Sequence, residues 1–345
     1  MKAAIIHAPF DIRVADVPEP QLTRGDEAIV RVTHSCVCGS DLWSYRGVSD
    51  AIGGSRIGHE SIGIVDRVGP EVRRVSVGDL VVLPFFASDG TCPECRAGYP
   101  IACRNGTFWA TNGYDGAQGE KVRVPYADVN CFVVPQDGLS DAMMVSLLPL
   151  ADVLSTGHHA AVCARVRPGG TVAVVGDGAV GLCGVAAARR LGASQIILVS
   201  THEARAEIGE RFGATDIVRV RGEAAVHRIA ELTGDLGVDS VLECVGTDDA
   251  FRLAWGAARR GGDIGFVGVP HSIADLPVGR MFRSGIGVKG GIAPAAVYIP
   301  ELMRDVLAGT LDVSAVFDLT VSLDDIATGY RAMHERAAIK ALVRT

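Results

Sequence analysis

"TVAVVGDGAVGLCGVAAARRLG", residues 171–192, begins with a short run of apolar residues, crosses two glycines, and resumes as an Ala- and Leu-rich stretch that closes on Arg189, Arg190 and Gly192. The first run is of strand length. The second has the composition of a helix, with basic residues in its last turn and glycine after it. Gly176, Gly178 and Gly181 fall at the junction in G-x-G-x-x-G order. There the first glycine permits a tight turn, the second lets the backbone approach a pyrophosphate, and the third allows close helix packing, with the helix amino terminus facing the phosphates. A chain with 42 glycines produces such patterns by chance. Its position between a strand and a helix favours a dinucleotide loop over a plain structural turn.

Downstream, "QIILVS" (195–200), "VDSVLECVG" (238–246) and "GDIGFVGV" (262–269) repeat the pattern of short apolar strands separated by helices. That alternation predicts an α/β fold with a doubly wound parallel sheet covered on both faces. At the end of the second strand an acidic residue ordinarily holds the adenosine ribose of NAD. Ser200 stands there, followed by Thr201, His202 and Arg205. Hydroxyls, an imidazole and a guanidinium suit a ribose 2'-phosphate better than two bare hydroxyls, so NADP is favoured over NAD. The alternative is that Arg205 is only a solvated helix residue.

Upstream, "EAIVRVTH" (27–34), "SIGIVDRVG" (61–69) and "DLVVLPF" (79–85) are β-like runs bounded by turn residues, which predicts a β-rich first half. The tail after about residue 290 returns to helix and amphipathic strand, and periodicity alone does not place it. A length of 345 residues suits two domains. The net charge of -7 and scattered basic residues give no nucleic-acid footprint, and no apolar run is long enough to predict a membrane span. Nine cysteines, with Asp11 reached before any export-length apolar stretch, suggest reduced thiols and a cytoplasmic setting.

"CGSDLWSYRG" (38–47) crowds Cys38, Ser40 and Asp41 together. Cys38 could be a core residue, half of a disulfide, or a metal thiolate. "IGHESIGIV" (57–65) and "LADVLSTGHHA" (150–160) offer His59, Glu60 and Asp152 as partners. A thiolate, an imidazole and one carboxylate around zinc leave a fourth position open, as a catalytic site requires. Taken singly, each residue has a simpler structural reading.

Together with "VGDLVV", "SDGTCPECRAGYPIAC", "RFGATDIV" and "AIKALVRT", these motifs resemble, in order and spacing over nearly the whole chain, the zinc-dependent alcohol dehydrogenases of the medium-chain dehydrogenase/reductase superfamily. The resemblance implies a GroES-like catalytic domain over 1–152, completed by 291–345, and a Rossmann domain over 153–290. It implies a catalytic zinc on Cys38, His59 and Asp152, with Glu60 able to exchange onto the metal. Ser40 would pass the proton of a bound alcohol, whereas the relay histidine of many relatives is replaced here by Trp43. Asp41 has no settled role. Thr156 and Val180 would pack near the nicotinamide, Val245, Val267 and Val269 would line its ribose side, and Lys340 would approach the pyrophosphate. A structural zinc site of four cysteines in relatives falls on Asp89, Cys92, Cys95 and Cys103, where the carboxylate remains an acceptable ligand; the alternative is a metal-free lobe. Cys36, Cys131, Cys163, Cys183 and Cys244 read as core residues.

The implied reaction is reversible hydride transfer between an alcohol and NADP, giving an aldehyde or ketone. A polyol, sugar or amino-alcohol dehydrogenase would use the same zinc chemistry, and a non-catalytic NADPH-binding regulator is the alternative of another class. Trp43, Phe85 and Trp109 are candidate pocket walls, and a homodimer or homotetramer is expected.

Overall fold

The computed structural model describes residues 1–48, 54–111, 113–136, 138–270 and 275–345. Two compact units divide the chain: Met1–Asp152 with Pro294–Thr345, and Val153–Ala293.

In the contiguous unit, strands β1 (Thr171–Val175), β2 (Gln195–Val199), β3 (Asp216–Val218), β4 (Val238–Glu243), β5 (Ala258–Phe266) and β6 (Gly287–Gly290) form one sheet. Its order is β3-β2-β1-β4-β5-β6, and every pair is parallel. The order reverses at β1/β4, so the carboxyl ends of those two strands open the crevice where such sheets bind ligands. Helix α1 (Val153–Cys163) leads into β1, and α2 (Ala179–Arg190), α3 (Glu203–Phe212), α4 (Gly222–Leu232) and α5 (Asp248–Ala257) are crossovers between successive strands. Ala173, Val175, Ile197, Val241 and Ile264 from the strands pack with Phe251, Leu253 and Trp255 of α5 in one buried cluster. The continuous apolar strands of the sequence are therefore buried on both faces, as parallel strands must be.

The other unit is β-rich. A seven-stranded sheet has Ala28–Cys36 at its centre, flanked by Ser61–Val68 on one side and Lys340–Arg344 on the other, both antiparallel to it. Lys340–Arg344 in turn pairs in parallel with Phe317–Ser322. The tail that periodicity could not place thus supplies two strands of this sheet. Among the described residues no helix is long and apolar enough to cross a membrane. All nine cysteines are free of disulfides, and of the five read as core, Cys244 is only half-buried.

Candidate active site

Strand pairing gathers the first cluster. Ser35 of Ala28–Cys36 pairs with Ser61 of Ser61–Val68. In an antiparallel pair, the residues leaving one strand and those entering the other share an end, so Cys38 meets His59 and Glu60. Asp152 arrives from the short helix Leu148–Ala151. Its Oδ2 lies 3.5 Å from Cys38 Sγ and 3.4 Å from His59 Nε2. One donor atom from each of Cys38, His59, Glu60 and Asp152 falls within 4.8 Å of all the others.

The donor set fits a divalent cation. Burial, and then Asp152, push the Cys38 thiol up. Burial also pushes Glu60 up, against the pull of Lys340. Glu60 Oε2 is buried without a hydrogen-bond partner, an arrangement that costs about 1–3 kcal/mol unless a cation or donor satisfies it. Such crowding of acidic groups is unfavourable in itself and favourable around a metal.

Asp41, whose role the sequence left open, organises this rim. Its Oδ1 is 3.1 Å from His59 Nδ1, which leaves Nε2 for the metal. Its Oδ2 accepts from the Cys38 N–H (2.9 Å) and from Gln118 Nε2 (3.0 Å). The signal was its place three residues after the thiol. Ser40 Oγ lies 3.3 Å from Cys38 Sγ and 3.4 Å from His59 Nε2. Ser40 also borders a cavity of about 160 Å³ together with Ser44, Arg56, His59, Trp109 and Thr111. The ring of Phe85 stands 6.4 Å from that of His59, whereas Trp43 is not among the described residues bordering the cavity.

Lys340 has a partner that the sequence reading missed. Its ammonium is 1% exposed, 2.6 Å from Glu60 Oε1, and donates to the Val37 carbonyl at 3.3 Å. Burial opposes its charge, but the surrounding acidic groups, Glu60 among them, outweigh burial and hold it up. The cause is the strand register, which pairs Leu342 with Cys36 and so puts Lys340 beneath the Cys38 loop.

The second cluster, Asp89, Cys92, Cys95 and Cys103, also brings one donor atom from each within 4.8 Å of the rest. Asp89 Oδ1 accepts from the N–H groups of Thr91 (2.8 Å) and Cys92 (2.9 Å), and Oδ2 from Asn105 Nδ2 (2.7 Å). Burial works against the Asp89 charge, but these donors prevail and hold the carboxyl well below the usual range. Burial and the neighbouring thiols push Cys95 up to about 12. An ionised carboxylate oriented by outer hydrogen bonds beside three thiols is a metal-ligand arrangement.

In the contiguous unit the three glycines have three different reasons. Gly176 adopts φ +113°. A Cβ on Gly181 would stand 1.9 Å from the Gly176 carbonyl oxygen, so the loop and α2 meet without room for a side chain. A Cβ on Gly178 would touch nothing within 4 Å. Glycine at 178 is therefore not required by the protein, and the open space above it suits a closely approaching pyrophosphate. Gly178 caps α2 without a side-chain hydrogen bond, leaving the first N–H groups for an anion. Val245 lies over Gly176, and Val269 beside Gly246. Glu243, which the sequence reading missed, holds the Val245–Gly246 turn by accepting from both N–H groups, at 2.8 and 2.7 Å. Val180 stands in the first turn of α2, Thr156 in α1, and Val267 just beyond β5.

At the end of β2, Ser200 Oγ donates to Asp177 Oδ2 at 2.8 Å, and Arg205 pairs with Asp177 at 3.4 Å. Asp177 occupies a variable position within the glycine loop, and this meeting was not read from the sequence. Thr201 accepts from Arg221 Nη2 at 2.8 Å, and His202 caps α3.

Residues 24–136 match the family described as "Alcohol dehydrogenase GroES-like domain" and residues 179–308 the family described as "Zinc-binding dehydrogenase". A Mycobacterium tuberculosis protein, named a probable zinc-binding alcohol dehydrogenase, is 35% identical over 98% of this chain and 86% of its own. The alcohol dehydrogenase TADH from Thermus sp. ATN1 superposes with a TM-score of 0.94 at 31% identity, covering 100% of this chain and 99% of that one. A zinc-binding dehydrogenase structure from Sinorhizobium meliloti 1021, bound to NADP, has a TM-score of 0.86 at 25% identity, with coverage of 100% and 99%. Such likeness along the whole chain, joined to a buried thiol–imidazole–carboxylate set, sets aside the non-catalytic alternative. The chain belongs to the zinc-dependent alcohol dehydrogenases of the medium-chain dehydrogenase/reductase superfamily, oxidoreductases that combine a GroES-like domain with a Rossmann domain.

Proposed function

We propose that the protein interconverts an alcohol with its aldehyde or ketone, with NADP as the preferred cofactor. The observation that carries this is the Cys38–His59–Glu60–Asp152 set, whose His59 borders one cavity together with Ser40. Zinc, when bound, polarises the substrate oxygen as a Lewis acid, and the nicotinamide exchanges the hydride. Cys38, His59 and Asp152 hold the metal, and Glu60 stands by as an exchangeable carboxylate. Asp41 fixes the His59 ring. Ser40 receives the hydroxyl proton in oxidation and returns it in reduction. Gly176, Gly178 and Gly181 bind the pyrophosphate with the amino terminus of α2. Thr156 and Val180 pack against the nicotinamide, and Val245, Val267 and Val269 line its ribose side. Ser200, Thr201, His202 and Arg205 surround the adenosine ribose.

The cavity walls favour a second reading of the substrate. Ser40, Ser44 and Thr111 bring hydroxyl-bearing residues to its wall, which suit a polyol or sugar better than a simple alkyl alcohol. The test follows nicotinamide absorbance against simple alcohols, diols, sugars and their carbonyl products, with NAD and with NADP. Turnover with hydroxylated substrates and NADP is expected. Absence of turnover across the panel would overturn the proposal.

Elemental analysis of protein purified without chelator is expected to give about two zinc per chain, one retained in Cys38→Ser by Asp89, Cys92, Cys95 and Cys103. About one in the wild type would remove the Asp89 site. Cytoplasmic residence suits nine cysteines that form no disulfide. A homodimer or homotetramer would cover Phe282, 90% exposed on the helix preceding edge strand β6; a monomer mass in light scattering would refute it.

The glycines give a separable pair. Gly178→Ala is expected to leave the melting temperature unchanged while weakening NADPH binding about tenfold or more, by displacing the phosphates from the loop. Gly181→Ala should lower both, since its new Cβ meets backbone 1.9 Å away. Unchanged NADPH affinity in Gly178→Ala would detach this loop from the cofactor.

A further inference from the structure

Three guanidiniums converge on the end of β2, and their pairing is unequal. Arg205 pairs with Asp177 at 3.4 Å. Arg219 grips Glu203, with Nη2 2.9 Å from Oε1. Arg221 is exposed and, among the described residues, pairs with no carboxylate; its Nη2 donates instead to the Thr201 hydroxyl at 2.8 Å. Two carboxylates against three guanidiniums leave one positive charge, and the pairing puts it on Arg221.

Position follows from the sheet. The Ser200 N–H donates to the Val218 carbonyl at 3.0 Å, so the ends of β2 and β3 lie together. Arg221 follows β3 by three residues and caps α4. It therefore reaches Thr201 across the strand ends, although the two are 20 residues apart.

We propose that Arg221, held by Thr201, is the residue that reads the 2'-phosphate of NADP. This rests on the cofactor reading above, and it changes the role of Arg205. Arg205 neutralises Asp177, whose carboxylate would otherwise repel the phosphate, and so acts as a positioning residue. Arg221 supplies the net charge. A planar guanidinium with donors left over after Thr201 is suited to phosphate oxygens.

The test is calorimetric titration of the full chain with adenosine 2',5'-bisphosphate and with 5'-AMP at fixed ionic strength, which needs no turnover. Wild type is expected to bind the bisphosphate at least about tenfold more tightly. Arg221→Ala should bring that ratio near one without changing 5'-AMP affinity, and Arg221→Lys should restore part of it. Equal wild-type affinities would overturn the NADP reading and this proposal with it. A wild-type preference that survives in Arg221→Ala would overturn the assignment to Arg221 alone, leaving the NADP reading intact.

Discussion

Cys38→Ser is expected to lower kcat/KM by at least about a thousandfold, the loss of several kcal/mol of electrophilic stabilisation, while NADPH affinity stays within about twofold of wild type. Serine offers a hydroxyl where the metal needs a thiolate, and the remaining donors, His59, Glu60 and Asp152, form a weaker, harder ligand set. The glycine loop belongs to the unit Val153–Ala293, and Cys38 to the other. Cofactor binding therefore serves as an internal control for folding. His59→Ala should behave alike, and Asp41→Asn more mildly, since it keeps all four candidate donors and disturbs only the groups that Asp41 orients, His59 Nδ1, the Cys38 N–H and Gln118; such losses run to about 10–100-fold. If Cys38→Ser kept more than a tenth of wild-type turnover, the cluster would not be the catalytic centre.

Lys340→Met is expected to destabilise the catalytic unit by about 3–5 kcal/mol, because it leaves Glu60 buried without its counter-charge. For a unit of this size that corresponds to a fall of roughly 6–20 °C in its melting transition. Adding Glu60→Gln to Lys340→Met should recover most of the loss, since the stranded charge is then gone. A melting transition within about 2 °C of wild type would refute Lys340 as the counter-charge of buried Glu60, and weakened NADPH binding in the same variant would support its approach to the pyrophosphate.

What could be read from the sequence was local or carried by the whole-chain resemblance. The glycine loop declares itself because strand, turn and helix are contiguous and each glycine answers a steric demand within a few residues. The cluster of Cys38, His59, Glu60 and Asp152 spans more than a hundred residues and was reached through the resemblance; spacing alone left three readings of Cys38 open. Lys340 was not read as the partner of Glu60, for a physical reason. Its partner is 280 residues away and is chosen by the register of an antiparallel pair, which no local pattern encodes. Asp177 and Arg221 escaped notice similarly. One hides in a variable position of the glycine motif and the other follows the third strand, and only parallel pairing brings both to Ser200 and Thr201.

The insertion of Lys340–Arg344 beside Ala28–Cys36 also orders events during synthesis. Val153–Ala293 is one uninterrupted stretch, so its sheet can close as soon as that stretch leaves the ribosome. The catalytic unit has no such freedom. Until residue 340 is made, Glu60 lacks its ammonium and Ala28–Cys36 lacks one neighbour. The amino-terminal half must wait with an open strand edge and an unbalanced acidic pocket, the condition in which strands pair wrongly between chains.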